Sequence, residues 1–176
     1  MSDPLRNVRH MNRNADKEEA MNHINKRRLV AIDLENLLGC APSRADAHLW
    51  ASAAEQFLVA IAFQPGVDQA VVATDPDWAF DAALAMPGAR LLVGAGESGA
   101  DRALCDALAD SEHIRQRYAA VVIGSGDHIF TGAAAALRAV GVPVKVVSLG
   151  LMASGALMAA ADDTMLLSRP QLALAA

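Results

Sequence analysis

The sequence is poor in aromatic residues and cysteine, and it has no long uninterrupted apolar run. Only 4% of its 176 residues are aromatic, which disfavours a binding surface built on base stacking. Its two cysteines, Cys40 and Cys105, lack metal-site spacing, and we expect them to be reduced. The longest apolar region, 142–161, contains a proline, a lysine and two glycines, and the polar N-terminus lacks a signal peptide's apolar core. We therefore expect a cytoplasmic protein without a membrane span.

Charge is distributed unevenly along the chain, whose net charge is -5. Residues 1–28 carry seven Lys or Arg against four Asp or Glu, whereas residues 29–176 carry eight against sixteen. The acidic body does not resemble the broad basic surface of a nucleic-acid-binding domain. A nucleic-acid contact would therefore need a metal, the basic N-terminal segment or a local Arg cluster.

The length and pattern of the chain predict one domain. We expect residues 1–27 to be a polar basic tail that is flexible in solution, in which Asn14 would cap a short helix over 14–25. Residues 28–170 would form the domain and 171–176 a C-terminal tail. Oligomerisation stays open, because the late Ala and Leu residues suit a homo-oligomer interface and an interior helix equally well.

Short apolar runs alternate with helical patterns from Arg28 onward. The runs are continuously apolar, as expected for strands that helices cover on both faces. This predicts an α/β fold with a Rossmann-like, mostly parallel sheet of five or six strands, core order 3-2-1-4-5 and helices on both faces. The predicted strands are RLVAID, QAVVATD, ARLLVG, AAVVIGS, PVKVVSLG and a short one around TMLL, and the predicted helices cover 44–62, 76–86, 100–117, 128–140 and 153–161.

Several acidic residues fall where the predicted strands end. Asp33, Asp75 and Asp127 follow strands one, two and four, and Asp101 opens the helix after strand three. In an open parallel sheet, functional groups gather at the carboxyl edge where strand order reverses. We therefore expect Asp33, Asp101 and Asp127 to share one acidic pocket.

Such a pocket favours a divalent metal ion, because a bound cation removes the repulsion between neighbouring carboxylates. The candidate ligands are hard oxygens, which Mg or Mn prefers. Asn36 would add an amide oxygen, and Ser125 a hydroxyl. The competing interpretation is that Asp75, Asp101 and Asp127 are helix caps, while Asp33, at the end of an apolar strand, needs a partner.

The segment GAGESG at 94–99 has the spacing of a dinucleotide-binding loop. It follows the third strand, and Glu97 and Asp101 would place negative charge where a pyrophosphate should bind. We therefore expect no dinucleotide, and interpret the segment as a glycine-rich loop beside the pocket that is able to close over a substrate.

The chain resembles the NYN domains of the PIN-like, metal-dependent ribonuclease superfamily over roughly residues 28–168. The resemblance rests on LVAIDLENLLG (29–39), GADRALCDAL (99–108), VVIGSGDHIF (121–130) and ALRAVGVPVKVVSLG (136–150), with ADD at 161–163. It implies an Mg- or Mn-binding pocket in which activated water hydrolyses RNA phosphodiester bonds. By motif position, the implied catalytic residues are Asp33, Asn36, Asp101 and Asp127, with the three aspartates as metal ligands and Asp75, Ser125 and Arg102 as possible accessory residues.

The chain departs from the family pattern in two places. Ile129 stands where the S-G-D-x-D-F motif has its second acid, and Glu97 and Ser98 stand where members often carry a basic residue. Arg102, Arg138 and the N-terminal segment would have to supply attraction for RNA.

Three functions therefore compete. The leading one is an Mg- or Mn-dependent endoribonuclease, and the alternative is a catalytically weakened NYN-like module that binds RNA or a protein partner. A receiver-type phosphoacceptor domain fits less well, because its acceptor Asp should end the third strand, where this chain has Gly94 and Gly96, and because Lys145 lies within the fifth strand.

Overall fold

A computed structural model describes residues 27–150 and 152–170. Within these ranges, six strands form one parallel sheet in the order β3-β2-β1-β4-β5-β6. The strands are β1 (Arg28–Asp33), β2 (Gln69–Thr74), β3 (Arg90–Val93), β4 (Ala120–Gly124), β5 (Val144–Leu149) and β6 (Asp163–Leu167). The predicted Rossmann-like α/β class and core strand order are confirmed.

Helices cover both faces of the sheet, as the continuous apolar strands predict. The α-helices are α1 (Leu34–Leu37), α2 (Ala47–Ala60), α3 (Ala79–Ala85), α4 (Gly99–Leu108), α5 (Ser111–Arg117), α6 (Thr131–Ala139) and α7 (Gly155–Ala160). Short 3-10 segments cover Pro42–Arg44, Pro76–Trp78 and His128–Phe130. The predicted helix over 14–25 and the predicted tails lie outside the described residues, apart from Arg27.

Two apolar cores lie on opposite faces of the sheet. Val30 and Ile32 of β1 pack with residues of α1, α2 and α3, whereas the alternate residues Leu29 and Ala31 pack with residues of α4, α5, α6 and α7. This alternation follows from the strand period of two. Both faces of β1 are therefore buried, and its polar chemistry is confined to its end.

One predicted helix, 100–117, is two helices in the structure. Helix α4 ends at Leu108, and α5 begins at Ser111 after Asp110, whose side chain accepts a 2.9 Å hydrogen bond from the His113 N–H. An Asp in this position caps a new helix, so the prediction of one continuous helix was wrong.

The order in which strands are added to the sheet reverses at β1. The chain proceeds from β1 to β2 and β3 on one side, and then crosses to β4, β5 and β6 on the other. The carboxyl ends of β1 and β4 are neighbours, with Ile32 in register with Gly124. Among the described residues, no helix has both the length and the apolar character needed to cross a membrane.

Candidate functional site

A cavity of about 260 Å³ opens at the carboxyl ends of the central strands. It contains Asp33, Asn36, Asp75, Asp101 and Asp127, all of which the sequence marked as site candidates. The remaining lining residues are Glu35, Gly96, Ser98, Gly99 and Ala100. Five carboxylates and one amide thus surround a space large enough for a hydrated ion and part of a ligand.

Asp33 ends β1 and is only 6% exposed. One carboxylate oxygen accepts a 3.1 Å hydrogen bond from the Asn36 N–H and so caps α1, and the other accepts a 3.0 Å bond from the Ser125 hydroxyl. Burial, and then the negative charge of Asp101, raise the pKa of Asp33 to about 7 despite both bonds. Asp33 is therefore a cap as well as a buried carboxylate that is costly to ionise.

Ser125 and Asn36 join the ends of β1 and β4. Ser125 is fully buried, and its oxygen also accepts a 3.1 Å bond from the Asp127 N–H. The Asn36 amide oxygen accepts a 2.9 Å bond from the Gly126 N–H. Both side chains therefore hold the loop after β4 against Asp33, and the Asn36 oxygen proposed as a ligand already has a protein donor.

The same loop demands glycine at Gly126. A Cβ built there would lie 2.2 Å from the Met152 carbonyl oxygen and 2.4 Å from Ser148 Oγ. The Gly126 carbonyl also accepts a 2.8 Å bond from the Ser154 N–H. Close backbone packing thus fixes the loop that presents Asp127.

Asp101 lies in the first turn of α4, where Ser98 is the N-cap residue. The competing interpretation of Asp101 as the helix cap is therefore wrong. Partial burial raises the pKa of Asp101, as do the charges of Asp127 and Glu35. The acids of the cavity therefore act on one another electrostatically.

Asp127 both lines the cavity and caps a 3-10 segment. Its Oδ1 accepts a 2.9 Å bond from the Ile129 N–H and lies 2.9 Å from Nδ1 of the exposed His128. Ile129, at the position of the family's second acid, packs partly buried against the apolar core that includes Phe130. The side chain at this position therefore supplies no carboxylate to the cavity.

Glu35 was missed by the sequence analysis. Its Oε1 accepts 2.8 Å hydrogen bonds from the buried Thr74 hydroxyl and from the Asp75 N–H, so it connects α1 to the end of β2. Asp75 in turn accepts a 3.0 Å bond from the Asp77 N–H and caps the segment Pro76–Trp78. The sequence signal that could have identified Glu35 was its place in the first helical turn after Asp33, the acid that ends β1.

The glycine-rich loop forms one wall of the cavity. Gly94 and Gly99 pack against each other so closely that a Cβ on Gly94 would lie 2.0 Å from the Gly99 carbonyl oxygen. Within the loop, Ser98 adopts a left-handed conformation with φ of 53°, which is uncommon for a residue with a Cβ. One close backbone contact therefore holds the two ends of the loop together beside the acids.

The two predicted cationic residues, Arg102 and Arg138, lie at opposite edges of the sheet. Arg102 is exposed beside Asp101, and its positive charge offsets a small part of the rise in the pKa of that carboxyl. Arg138 lies at the amino edge of the sheet, where its Nε is 2.8 Å from Asp162 Oδ1 and where Asp162 also accepts a 2.8 Å bond from the Val144 N–H. Arg138 is thus paired with Asp162 at the edge opposite the pocket, and its attraction for RNA stays a prediction.

The acids line one cavity without forming a closed coordination sphere. Within residues 27–150 and 152–170, no group of three or more His, Cys, Asp or Glu side chains is arranged so that it could hold a metal ion. Ion binding by three of these acids would therefore require some of their side chains to change position.

A larger cavity of about 680 Å³ lies at the amino edge and is lined partly by apolar residues such as Leu58, Phe63 and Met86. Its one carboxylate, Asp68, is engaged by the Arg28 guanidinium, which lowers the pKa of Asp68. This cavity lacks converging reactive groups, so the smaller acidic one is the candidate site.

The similarity of this chain to known proteins concerns the fold alone. No protein-family model matches the chain, and no curated protein matches it. The chain is similar to the crystal structure of a protein of unknown function from Vibrio parahaemolyticus, with 17% sequence identity and a TM-score of 0.57. The match covers 81% of this chain and 93% of that chain.

Proposed function

We propose that this protein is an Mg- or Mn-dependent ribonuclease that hydrolyses RNA phosphodiester bonds at the acidic cavity. The observation that carries the proposal is that Asp33, Asp101 and Asp127 line one cavity at the strand-order reversal. The NYN-like motifs support RNA as the substrate.

The donor chemistry fits a hard divalent cation. The cavity offers carboxylate oxygens without a cysteine or histidine among its lining residues. Asp33, Asp101 and Asp127 would hold the ion, and the electrostatic coupling among the acids favours a cation between them. When bound, such an ion stabilises charge developing on a phosphate and makes water more acidic.

The protein's own contribution would be positioning. Ser125 fixes one oxygen of Asp33, and Asn36 fixes the loop that carries Asp127. Rigid support of this kind holds reacting groups in a productive geometry. The exposed Arg102 beside Asp101 would offer a positive charge to the RNA backbone at the cavity rim.

A cleavage assay tests the proposal with end-labelled single-stranded RNA, a hairpin RNA and DNA of matching sequence, in Mg, Mn or EDTA. We expect metal-dependent cleavage of RNA, and expect Asp33→Asn to reduce its rate by about two to three orders of magnitude. Asp110→Asn is the matched control, because Asp110 is an exposed helix cap and Asn caps equally well. Equal cleavage by wild type and Asp33→Asn would show that the activity does not come from this site.

The second candidate is a module that binds RNA or a protein partner without cutting. The packing of Ile129 against the apolar core favours it, because the site has one carboxylate fewer than the motif implies. RNA binding by the wild type, with no cleavage in either metal, would exclude the nuclease and support this alternative.

A further inference from the structure

Strand β3 forms one edge of the described sheet, where its neighbour is β2. The Gly94 N–H, just after the strand, donates to the Thr74 carbonyl of β2 at 3.1 Å. Successive residues of a strand direct their backbone groups to opposite sides, so Leu92 faces β2 as Gly94 does, whereas Leu91 and Val93 face away from the sheet. Within the described ranges, no other backbone group pairs with the outward N–H and C=O groups of Leu91 and Val93.

This edge lacks the side chains that commonly keep edge strands from pairing. Its sequence, RLLV, contains neither proline nor lysine, and its one charge, Arg90, lies at its first residue. Its register with β2 runs without a bulge, and Val93 is 51% exposed. Because natural edges are blunted by charges, prolines or bulges, an apolar edge of this kind favours pairing with a further strand.

A second copy of the chain supplies a strand that matches this edge. When a two-fold axis passes beside Leu92, the two β3 strands run antiparallel, and Leu91 of each copy lies opposite the partner's Val93. Residues paired in this way exchange both of their N–H···O bonds. Every outward backbone group of the two strands therefore finds a partner.

The charges at the two ends of β3 favour the antiparallel arrangement. Arg90 opens the strand, and the exposed Glu97 lies on the glycine-rich loop beyond its carboxyl end. The two-fold axis places Arg90 opposite the partner's Gly94, which has no side chain to block it, and beside the loop that carries the partner's Glu97. Opposite charges across an interface select the partner and the register, whereas a parallel pairing would bring like charges together.

We infer that the protein forms a homodimer in which β3 pairs antiparallel with β3 of a second copy and the sheet continues across the two-fold axis. This interface differs from the late Ala and Leu residues that the sequence offered for an oligomer. The glycine-rich loop is also one wall of the acidic cavity, so the pairing brings the positive charge of the partner's Arg90 beside that wall. The inference does not depend on the proposed ribonuclease activity.

Sedimentation equilibrium of the full chain over a range of protein concentrations tests the inference, and we expect a monomer–dimer equilibrium. Val93→Pro removes an outward N–H without touching the ladder between β2 and β3. It should raise the dissociation constant of the dimer by about 10- to 100-fold.

Leu166→Pro is the matched control at the opposite edge of the sheet. Leu166 is an exposed residue of β6, the other edge strand. The Leu167 carbonyl faces β5, where it accepts from the Gly150 N–H, so the Leu166 N–H is directed outward as that of Val93 is. This change should leave the dissociation constant as it is in the wild type.

A charge exchange tests the register independently of any effect of proline on folding. Arg90→Glu and Glu97→Arg should each weaken the dimer by about 10-fold, because each places like charges at the contact. The double variant, in which the two charges are exchanged, should recover most of the wild-type affinity. Both side chains are exposed, and circular dichroism checks that the variants fold.

The outcomes separate this inference from the proposed function. A chain that stays monomeric at every concentration overturns the homodimer, even if it cleaves RNA. A dimer that Leu166→Pro disrupts and Val93→Pro does not also overturns it. If the double variant recovers none of the affinity lost in Arg90→Glu and Glu97→Arg, the antiparallel register is wrong.

Discussion

Replacing Asp33 with Asn should change how stability depends on pH. The folded-state pKa of about 7 lies above the ordinary value of 3.8. Between these values the folded protein keeps a proton that the unfolded chain releases, so the free energy of unfolding falls as pH rises through the folded pKa. The two pKa values differ by about 3 units, and each unit corresponds to about 1.4 kcal/mol. The free energy of unfolding should therefore be lower by roughly 4 kcal/mol at pH 8 than at low pH.

Asp33→Asn removes this loss but disturbs one hydrogen bond. An Asn oxygen can still accept from the Asn36 N–H, whereas its amide nitrogen must face the Ser125 hydroxyl that now donates to Asp33. Such a mismatch costs about 1–2 kcal/mol. We therefore expect the variant to be more stable than the metal-free wild type by about 2–3 kcal/mol at pH 8, and slightly less stable at pH 4.

Urea unfolding in EDTA is followed by the fluorescence of the buried Trp50 at several pH values. It measures how the free energy of unfolding depends on pH in the wild type and in Asp33→Asn. Asp110→Asn should follow the wild-type profile within a few tenths of a kcal/mol. If Asp33→Asn keeps the wild-type decline between pH 4 and 8, or is the less stable protein at pH 8, then Asp33 is not the costly carboxylate described above.

Four further changes test the support of the site and the fold, each by urea unfolding at pH 7. Ser125→Ala should cost about 1–3 kcal/mol, because it leaves the partly buried N–H of Asp127 without its acceptor; no loss would mean that the hydroxyl is dispensable. Gly126→Ala should cost about 1–3 kcal/mol through overpacking, whereas Gly132→Ala, in open space within α6, should stabilise by about 0.5–1 kcal/mol. Asp68→Ala should cost about 3–5 kcal/mol, since it strands the partly buried Arg28; a neutral result would contradict the importance of that pair.

The sheet was predictable from sequence because its signal is local. Each strand is a short apolar run with both faces covered, and the alternation with helices requires parallel crossovers. The break between α4 and α5 was missed because Ala109 and Asp110 interrupt the helical pattern only briefly. It depends on one cap, which a helical period does not reveal.

The acids at strand ends were predictable as a group, but their individual contacts were not. Glu35 looks from sequence like an ordinary acid in the first turn of a helix. Its partner Thr74 is 39 positions away, and only the pairing of β1 with β2 brings the two together. Ile129 shows the same limit, because its packing depends on helices that are distant in the chain.

The bond between Ser125 and Asp33 spans 92 positions, which has a consequence for biosynthesis. While the ribosome is still making α5, β1 has left the exit tunnel without its neighbour β4, and its terminal carboxylate is still open to water. Pairings across such long separations form late. A nascent chain or a proteolytic fragment that lacks β4 should therefore have no assembled cavity, so any activity of this site would report a chain synthesised at least through residue 127.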